Sequence, residues 1–278
     1  IIPKEIIITN SFDEISNCDV ILITVPSQFV RDVLTKIPKL SENIIVVIGS
    51  KGIENQNLML MSDVVKDVLR LTDFRIAALS GPSHAEEVCQ NLPTAVVSAS
   101  KDKNTSIIVQ ELFNTTFFRV YSSDDIIGVQ LGGSIKNVIA IAAGICSGIG
   151  YGHNTMAALI TRGLTEITRL GIALGGQKDT FFGLSGIGDL VVTAGSTLSR
   201  NRYVGEKIGE GYSLDTILNE MDMVAEGVKT AKSVHDLIIK TGIEMPISEQ
   251  IYQVLFKGED AKTAINNLMS RMPIAEKI

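Results

Sequence analysis

Three unbroken apolar runs near the amino terminus constrain the fold of this chain more than any other feature. Val20–Val25 and Ile44–Ile48 are continuous and mostly β-branched, and Ile76–Leu79 is a third continuous run. A strand with one face in water alternates apolar and polar residues, whereas a continuous run is covered on both faces, as in a parallel sheet between helix layers. Each run ends in small residues: Pro26-Ser27, Gly49-Ser50-Lys51-Gly52 and Ser80-Gly81-Pro82-Ser83. Gln28–Thr35 reads as helix, and Ala95–Ala99 and Arg119–Tyr121 add two strands towards the edge. The expectation is a parallel sheet with helices on both faces.

The pattern changes after Ser122-Ser123-Asp124-Asp125, whose capping oxygens and acids suit a helix start. From there the periodicity is helical. Leu164, Ile167, Gly171 and Leu174 share a face, as do Ile251, Val254 and Leu255, and Gly242 and Gly258 stand where helices should end. The chain therefore divides into residues 1–124, an α/β domain, and residues 125–278, an all-α domain. A length of 278 residues accommodates two domains at roughly 150 residues each.

The segment Val138–Thr161 carries no charge apart from that of a protonated His153. Its glycines and polar groups from Ser147 to Asn154 do not suit a lipid-exposed helix, so it reads as a buried helix, a turn and a second helix, not a membrane span. A formal net charge of −6 argues against nucleic acid as the main partner, which needs a basic stripe. Cys18, Cys89 and Cys146 lack metal-ligand or C-x-x-C spacing and read as reduced, mostly buried thiols of a cytosolic protein.

In open α/β sheets, ligands bind at the carboxyl ends of the strands. Lys51 is the one cation at the three strand ends. It reads either as a surface-turn lysine or as a group aimed into the crevice. The turn Gly81-Pro82-Ser83 before Ala85-Glu86-Glu87-Val88 offers backbone N–H groups to an anion, although many such turns bind nothing. Lys136, in Gly132-Gly133-Ser134-Ile135-Lys136-Asn137, has no carboxylate three or four positions away on its own helix. It either snorkels to water or meets a partner from elsewhere, and burial would lower its pKa towards a value useful in proton transfer. The adjacent glycines cost on the order of 1 kcal/mol each relative to alanine, a cost that makes sense where something approaches the backbone closely.

Asp189, after Gly186-Ile187-Gly188, can hydrogen-bond a lysine or a substrate hydroxyl. Ser199-Arg200-Asn201-Arg202 combines a planar fork with neutral donors, which suits phosphate, but it also reads as a helix start capped by Ser199. His84, near the crevice, His153 and His235 have no partner at metal-ligand or triad spacing, and packing or surface roles are expected for all three.

Taken in order, these segments resemble the bacterial NAD(P)-dependent glycerol-3-phosphate dehydrogenases. The matching segments are Val25-Pro26-Ser27, Ser50-Lys51-Gly52, Ser80-Gly81-Pro82-Ser83, Gly132-Gly133-Ser134-Ile135-Lys136-Asn137, Leu159-Ile160-Thr161-Arg162-Gly163-Leu164, Gly186-Ile187-Gly188-Asp189-Leu190, Ser199-Arg200-Asn201-Arg202 and Glu244-Met245-Pro246-Ile247. The resemblance implies a Rossmann-like α/β domain followed by an all-α catalytic domain. It implies Lys136 as proton acceptor, Lys51 against both cofactor and substrate, and Gly81, Ser83, Asp189, Ser199, Arg200 and Asn201 around glycerol phosphate. Ala85, Arg200, Val224 and Glu226 are implied on the NAD or NADP cofactor. The implied substrate pair is dihydroxyacetone phosphate and sn-glycerol 3-phosphate, for phospholipid-precursor synthesis, in a cytoplasmic homodimer.

His84 and Ala194-Gly195 depart from the family pattern without touching a matched ligand position. The larger departure is that no G-x-G-x-x-G precedes Val20, where a dinucleotide domain should open. Val20–Val25 is then expected to be the fourth strand of that fold, with Ile6–Thr9 a short lead-in. A first β-α-β unit of roughly 30 residues is expected outside this sequence, and without it NADH binding is expected to be poor. The alternatives are another β-hydroxyacid dehydrogenase with a helical lysine, of the 6-phosphogluconate or hydroxyisobutyrate type, or a non-catalytic remnant.

Overall fold

The computed structural model describes residues 3–41, 43–273 and 275–276. The chain first alternates strands and helices: β1 (Val20–Ile23), α1 (Val30–Leu34), β2 (Ile45–Ile48), α2 (Met61–Leu69), β3 (Ile76–Ser80), α3 (Ala85–Val88), β4 (Thr94–Ala99), α4 (Lys103–Phe113) and β5 (Phe118–Ser123). Helices alone follow: α5 (Ile126–Ile149), α6 (His153–Ala173), α7 (Lys178–Phe181), α8 (Asp189–Gly195), α9 (Arg200–Gly209), α10 (Leu214–Glu220), α11 (Glu226–Thr241), α12 (Pro246–Lys257) and α13 (Ala261–Met269). The architecture is a Rossmann-like sheet region followed by a helical domain.

The strands form one sheet in the order β1-β2-β3-β4-β5. β1, β2 and β3 pair in parallel, and so do β4 and β5. β3 and β4 are antiparallel, with Leu79 opposite Ser98, so the sheet is mixed and not all-parallel as expected. The connection explains the difference. A parallel return needs a crossover that carries the chain back along the strand, and residues 81–93 supply just the single turn of α3. Gly81 starts the reversal at φ 150°, and a Cβ there would lie 2.8 Å from the Val96 Cα, so glycine meets both demands. Between β4 and β5 the longer α4 restores the crossover.

Two-sided burial holds for β2, whose four residues are all buried, and for β3 apart from the half-buried Leu79. It does not hold for β1 at the end of the strand order, where Ile23 alone is buried and Leu22 is exposed. Val46, Ile48, Ile76 and Ala78 pack with α1 and α2 on one face, and Ile45, Val47 and Ala77 with Val109 of α4 on the other. Residues 6–9 form no strand, and Ile7 is 83% exposed. Cysteine burial also differs from expectation. Cys146 is buried, but Cys18, in the segment leading to β1, and Cys89, capping the surface turn α3, are exposed, all three as free thiols.

α5 ties the molecule together. Every residue from Gly128 to Cys146 is buried. Ile126 and Val129 at its start join the sheet core, whereas Leu131, Ile135 and Val138 belong to the helical core. Among the described residues α5 is the one unbroken helix long and apolar enough to cross a membrane, and its apolar surface is covered by protein. Asp125 caps it by accepting from Gly128 N–H at 2.8 Å.

α9 lies against α5 almost backbone to backbone. A Cβ on Gly205 would come within 1.9 Å of the Ile141 carbonyl oxygen, and one on Gly144 within 2.0 Å of the Arg202 carbonyl oxygen. Neither atom can move without moving a helix, so Gly205→Ala should destabilise the protein by about 1–3 kcal/mol or more, as overpacking does. Gly195→Ala, at an exposed helix end with nothing within 4 Å of its Cβ, should change stability by less than about 0.5 kcal/mol. Urea unfolding of the two variants compares them directly, and equal midpoints would contradict the contact.

Candidate active site

Lys136 stands in mid-α5 and is 5% exposed. The two glycines one turn earlier do admit close approach, and what approaches is the protein's own chain. A Cβ on Gly132 would meet the Ser185 carbonyl oxygen at 2.5 Å, and one on Gly133 would meet Ser80 Oγ, at the end of β3, at 2.5 Å. Ser185 belongs to a tight π turn, Leu184–Gly188, that delivers the chain into α8. Asp189, the first residue of α8, is thereby held beside Lys136 at 1% exposure.

The Asp189 carboxylate takes one lysine on each oxygen. Lys136 Nζ donates to Oδ1 at 2.5 Å and Lys51 Nζ donates to Oδ2 at 2.6 Å. Lys136 also donates to Thr193 Oγ1 at 2.6 Å, and Lys51 to the Gly81 carbonyl at 3.1 Å. Lys136 therefore does not snorkel, and its partner comes from another helix. Lys51 points into the crevice. Thr193, which sequence reasoning missed, follows Asp189 by four residues, so the i,i+4 spacing on α8 was its available signal.

Burial, and after it the neighbouring Lys51 charge, pull the Lys136 amine down to about 7, although Asp189 pulls the other way. Burial pushes the Asp189 carboxyl up, but Lys51 and then Lys136 outweigh it and leave it below its ordinary value.

These groups border a cleft of about 420 Å³ at the carboxyl ends of β1 and β2. Lys51, Ser83, Ala85, Lys136, Ser199, Arg200, Asn201, Val224 and Glu226 line it together with Thr24, Pro26, Asn137 and His84. Gly81 and Asp189 do not. Gly81 acts through its carbonyl on Lys51, and Asp189 reaches the cleft through the two ammonium groups.

Ser199 caps α9, its Oγ accepting from Arg202 N–H at 3.2 Å. Arg200 is exposed, with Nη1 donating to the Val224 carbonyl at 3.0 Å. Asn201 Oδ1 accepts from Gly227 N–H at 2.8 Å. Glu226 bridges to the turn after β1, its two oxygens accepting from Ser27 N–H at 2.9 Å and Ser27 Oγ at 2.6 Å. Burial outweighs these bonds and raises the Glu226 pKa.

The histidines differ among themselves. His235 lies 2.8 Å from Glu249 and stacks on Tyr252 at 3.6 Å, and His153 is exposed at the start of α6. His84 lines the cleft with a buried Nε2 that has no partner among the described residues. Nor do the described residues contain a His, Cys, Asp and Glu cluster able to hold a metal.

Two family profiles match the chain. That described as the NAD-dependent glycerol-3-phosphate dehydrogenase N-terminus matches residues 1–106, and its C-terminus counterpart matches residues 125–266. The glycerol-3-phosphate dehydrogenase [NAD(P)+] of Citrifermentans bemidjiense is 52% identical over 263 residues, 94% of this chain and 78% of that protein. That of Geobacter sulfurreducens is 51% identical over 97% of this chain and 81% of its own length. The crystal structure of the Coxiella burnetii glycerol-3-phosphate dehydrogenase superposes with a TM-score of 0.89 at 39% identity, over 94% of this chain and 79% of that one. Joined to a Lys51–Asp189–Lys136 system, in which Asp189 and Lys136 are buried and Lys51 partly so, these similarities place the chain in the NAD-dependent glycerol-3-phosphate dehydrogenase family.

Proposed function

We propose that this chain reversibly reduces dihydroxyacetone phosphate to sn-glycerol 3-phosphate with NAD(P)H, in the cytoplasm and as a homodimer. Residues 1–124 serve the cofactor and residues 125–278 the substrate, a division that follows the two profile matches. One observation carries the reading. An ammonium group has three N–H donors, and Lys51 and Lys136 each spend two on the described residues. One donor from each remains for the oxygen of a substrate in the cleft.

The cleft residues fit a dinucleotide at its nicotinamide end. Pro26, Val25 and Ala85 offer apolar surface to a flat ring, Arg200 a cation to phosphate, and the position beyond the strand carboxyl ends is where such ligands lie in open α/β sheets. The cofactor, when bound, supplies or accepts the hydride. Lys136 gives its proton to the C2 oxygen in reduction and takes it back in oxidation. Lys51 donates a second hydrogen bond to that oxygen, where negative charge develops. Asp189 keeps both lysines aimed, and Arg200 and Asn201 receive the phosphate.

Lys136→Ala should lower turnover by at least ~10²-fold, as loss of a general acid–base does, with cofactor affinity unchanged by fluorescence titration. Near-normal turnover would sink the assignment. Because burial holds Lys136 at about 7, its protonated form is lost as pH rises through that value. The kcat/KM for ketone reduction should therefore fall above pH about 7 while that for alcohol oxidation rises. Profiles that are flat, or that move together, contradict the role. Arg200→Lys should raise the KM for dihydroxyacetone phosphate by roughly tenfold, since an ammonium cannot reproduce a bidentate fork. Cofactor affinity is measured alongside, and an unchanged KM would refute phosphate recognition by Arg200.

A further inference from the structure

The backbone that carries Lys51 is gripped from two directions at Ile53. The Ile53 carbonyl accepts from Gln28 Nε2, on the turn after β1, at 2.8 Å, and from Ser233 Oγ, on α11, at 3.0 Å. Asn55 repeats the arrangement. Its N–H donates to Gln28 Oε1 at 3.0 Å, and its side-chain oxygen accepts from Ser233 Oγ, whose single hydrogen is shared between Asn55 Oδ1 and the Ile53 carbonyl. Glu54 between them holds Arg31 through both oxygens, at 2.6 and 3.1 Å. Ile53 and Ser233 are fully buried.

Gln28 already satisfies the Ile53 carbonyl, so the serine hydroxyl is not needed to avoid an orphaned acceptor. What it adds is a fixed distance between Ile53 and α11. That helix is itself registered against the Lys136 helix. A Cβ on Gly227 would lie 2.7 Å from the Asn137 carbonyl oxygen, and Gly227 N–H is held by Asn201. A continuous chain of contacts thus runs from Lys136 through Asn137, α11 and Ser233 to Ile53 and Lys51.

We propose that Ser233 is a positioning residue for the lysine pair, fixing Lys51 against Asp189 and Lys136 through the Ile53–Asn55 segment that its hydroxyl grips. The inference rests on the reading of Lys136 as proton donor and Lys51 as its partner. The charged groups that face Lys136 are Lys51 and Asp189. When Lys51 is loosened, a like charge withdraws from Lys136 and Asp189 is left to it alone. Both changes favour the protonated amine.

The test is Ser233→Ala in the whole chain, its folding checked by circular dichroism and thermal unfolding. Lys136 is followed by NMR titration of isotope-labelled lysines, its signal assigned by its absence from Lys136→Ala. No cofactor or substrate is needed, so the readout is independent of which substrate the enzyme uses. The Lys136 midpoint should rise by about half a pH unit or more, from partial loss of one adjacent like charge. In a Lys51→Met background the same substitution should move it no further, because the group it acts through is gone. In the assay, Ser233→Ala should raise the KM for dihydroxyacetone phosphate about threefold, the weakening of one substrate contact, with a smaller effect on kcat. If the alanine variant does not fold, Ser233→Cys, close in volume and a weaker donor, carries the same expectations. An unmoved midpoint in a folded variant, or an equal rise with and without Lys51, overturns the inference. Neither result touches the proposed reaction, which stands or falls with Lys136→Ala.

Discussion

The structure is arranged around one buried carboxylate. Asp189, at 1% exposure, stands between two ammonium groups, and a charge so deep is tolerable only when paired and hydrogen-bonded. With both lysines protonated, the group carries one surplus positive charge inside protein. Burial and then the Lys51 charge favour the neutral amine at Lys136, the more deeply buried of the two, and lower its pKa to about 7, while the two lysines hold Asp189 below its ordinary value. The same surplus suits an anionic ligand. It is local, and the net charge of −6 over the whole chain does not oppose it, because distant surface charges are screened within about 10 Å at ordinary ionic strength.

Several otherwise costly features follow from placing Asp189 there. The π turn before α8, the paired glycines of α5 and the abutment of Ser80 on Gly133 all bring chain segments closer than side chains would allow. α5 can accept this crowding because its burial spans two cores, with Ile126 and Val129 in one and Leu131 and Ile135 in the other. Lys136 thus sits on a helix buried from Gly128 to Cys146. Its partner Lys51 sits on a loop and needs Gly81, Gln28, Arg31 and Ser233 around it to be comparably fixed.

Sequence periodicity revealed the layers because burial on both faces leaves a local mark: Val46 and Val47 point to opposite faces and both are apolar. It revealed Lys136 because an apolar helix without a nearby acid is also a local fact. It could not say what approached Gly132 and Gly133, since Ser185 and Ser80 lie some fifty residues away in either direction. Nor could it pair Ser27 with Glu226, 199 positions apart. The sense of β4 was missed because it depends on what the short link after Gly81 can span, not on the residues of β4. The exposure of Cys18 and Cys89 was missed because thiols are commonly buried, and a residue type says little about which side of a turn it occupies.

A second buried group shows why perturbed acidity alone does not define the site. Glu166 on α6 is 3% exposed, and burial raises its carboxyl to about 7 against the pull of its hydrogen bonds. All of those bonds are structural. Ile247 N–H and Ser248 N–H donate to it at 2.6 and 3.1 Å, and Ser248 Oγ at 2.9 Å, so it closes the first turn of α12. It does not line the cleft, and its acceptor oxygens are committed to a helix end that must be satisfied whether or not a ligand is present. Lys136 has a comparable pKa for the same physical reason, desolvation, but keeps a donor and faces open space. Chemistry requires that residual valence. A buried group whose hydrogen bonds all serve the fold is part of the scaffold, and one that holds a bond in reserve beside a cleft can act on a substrate.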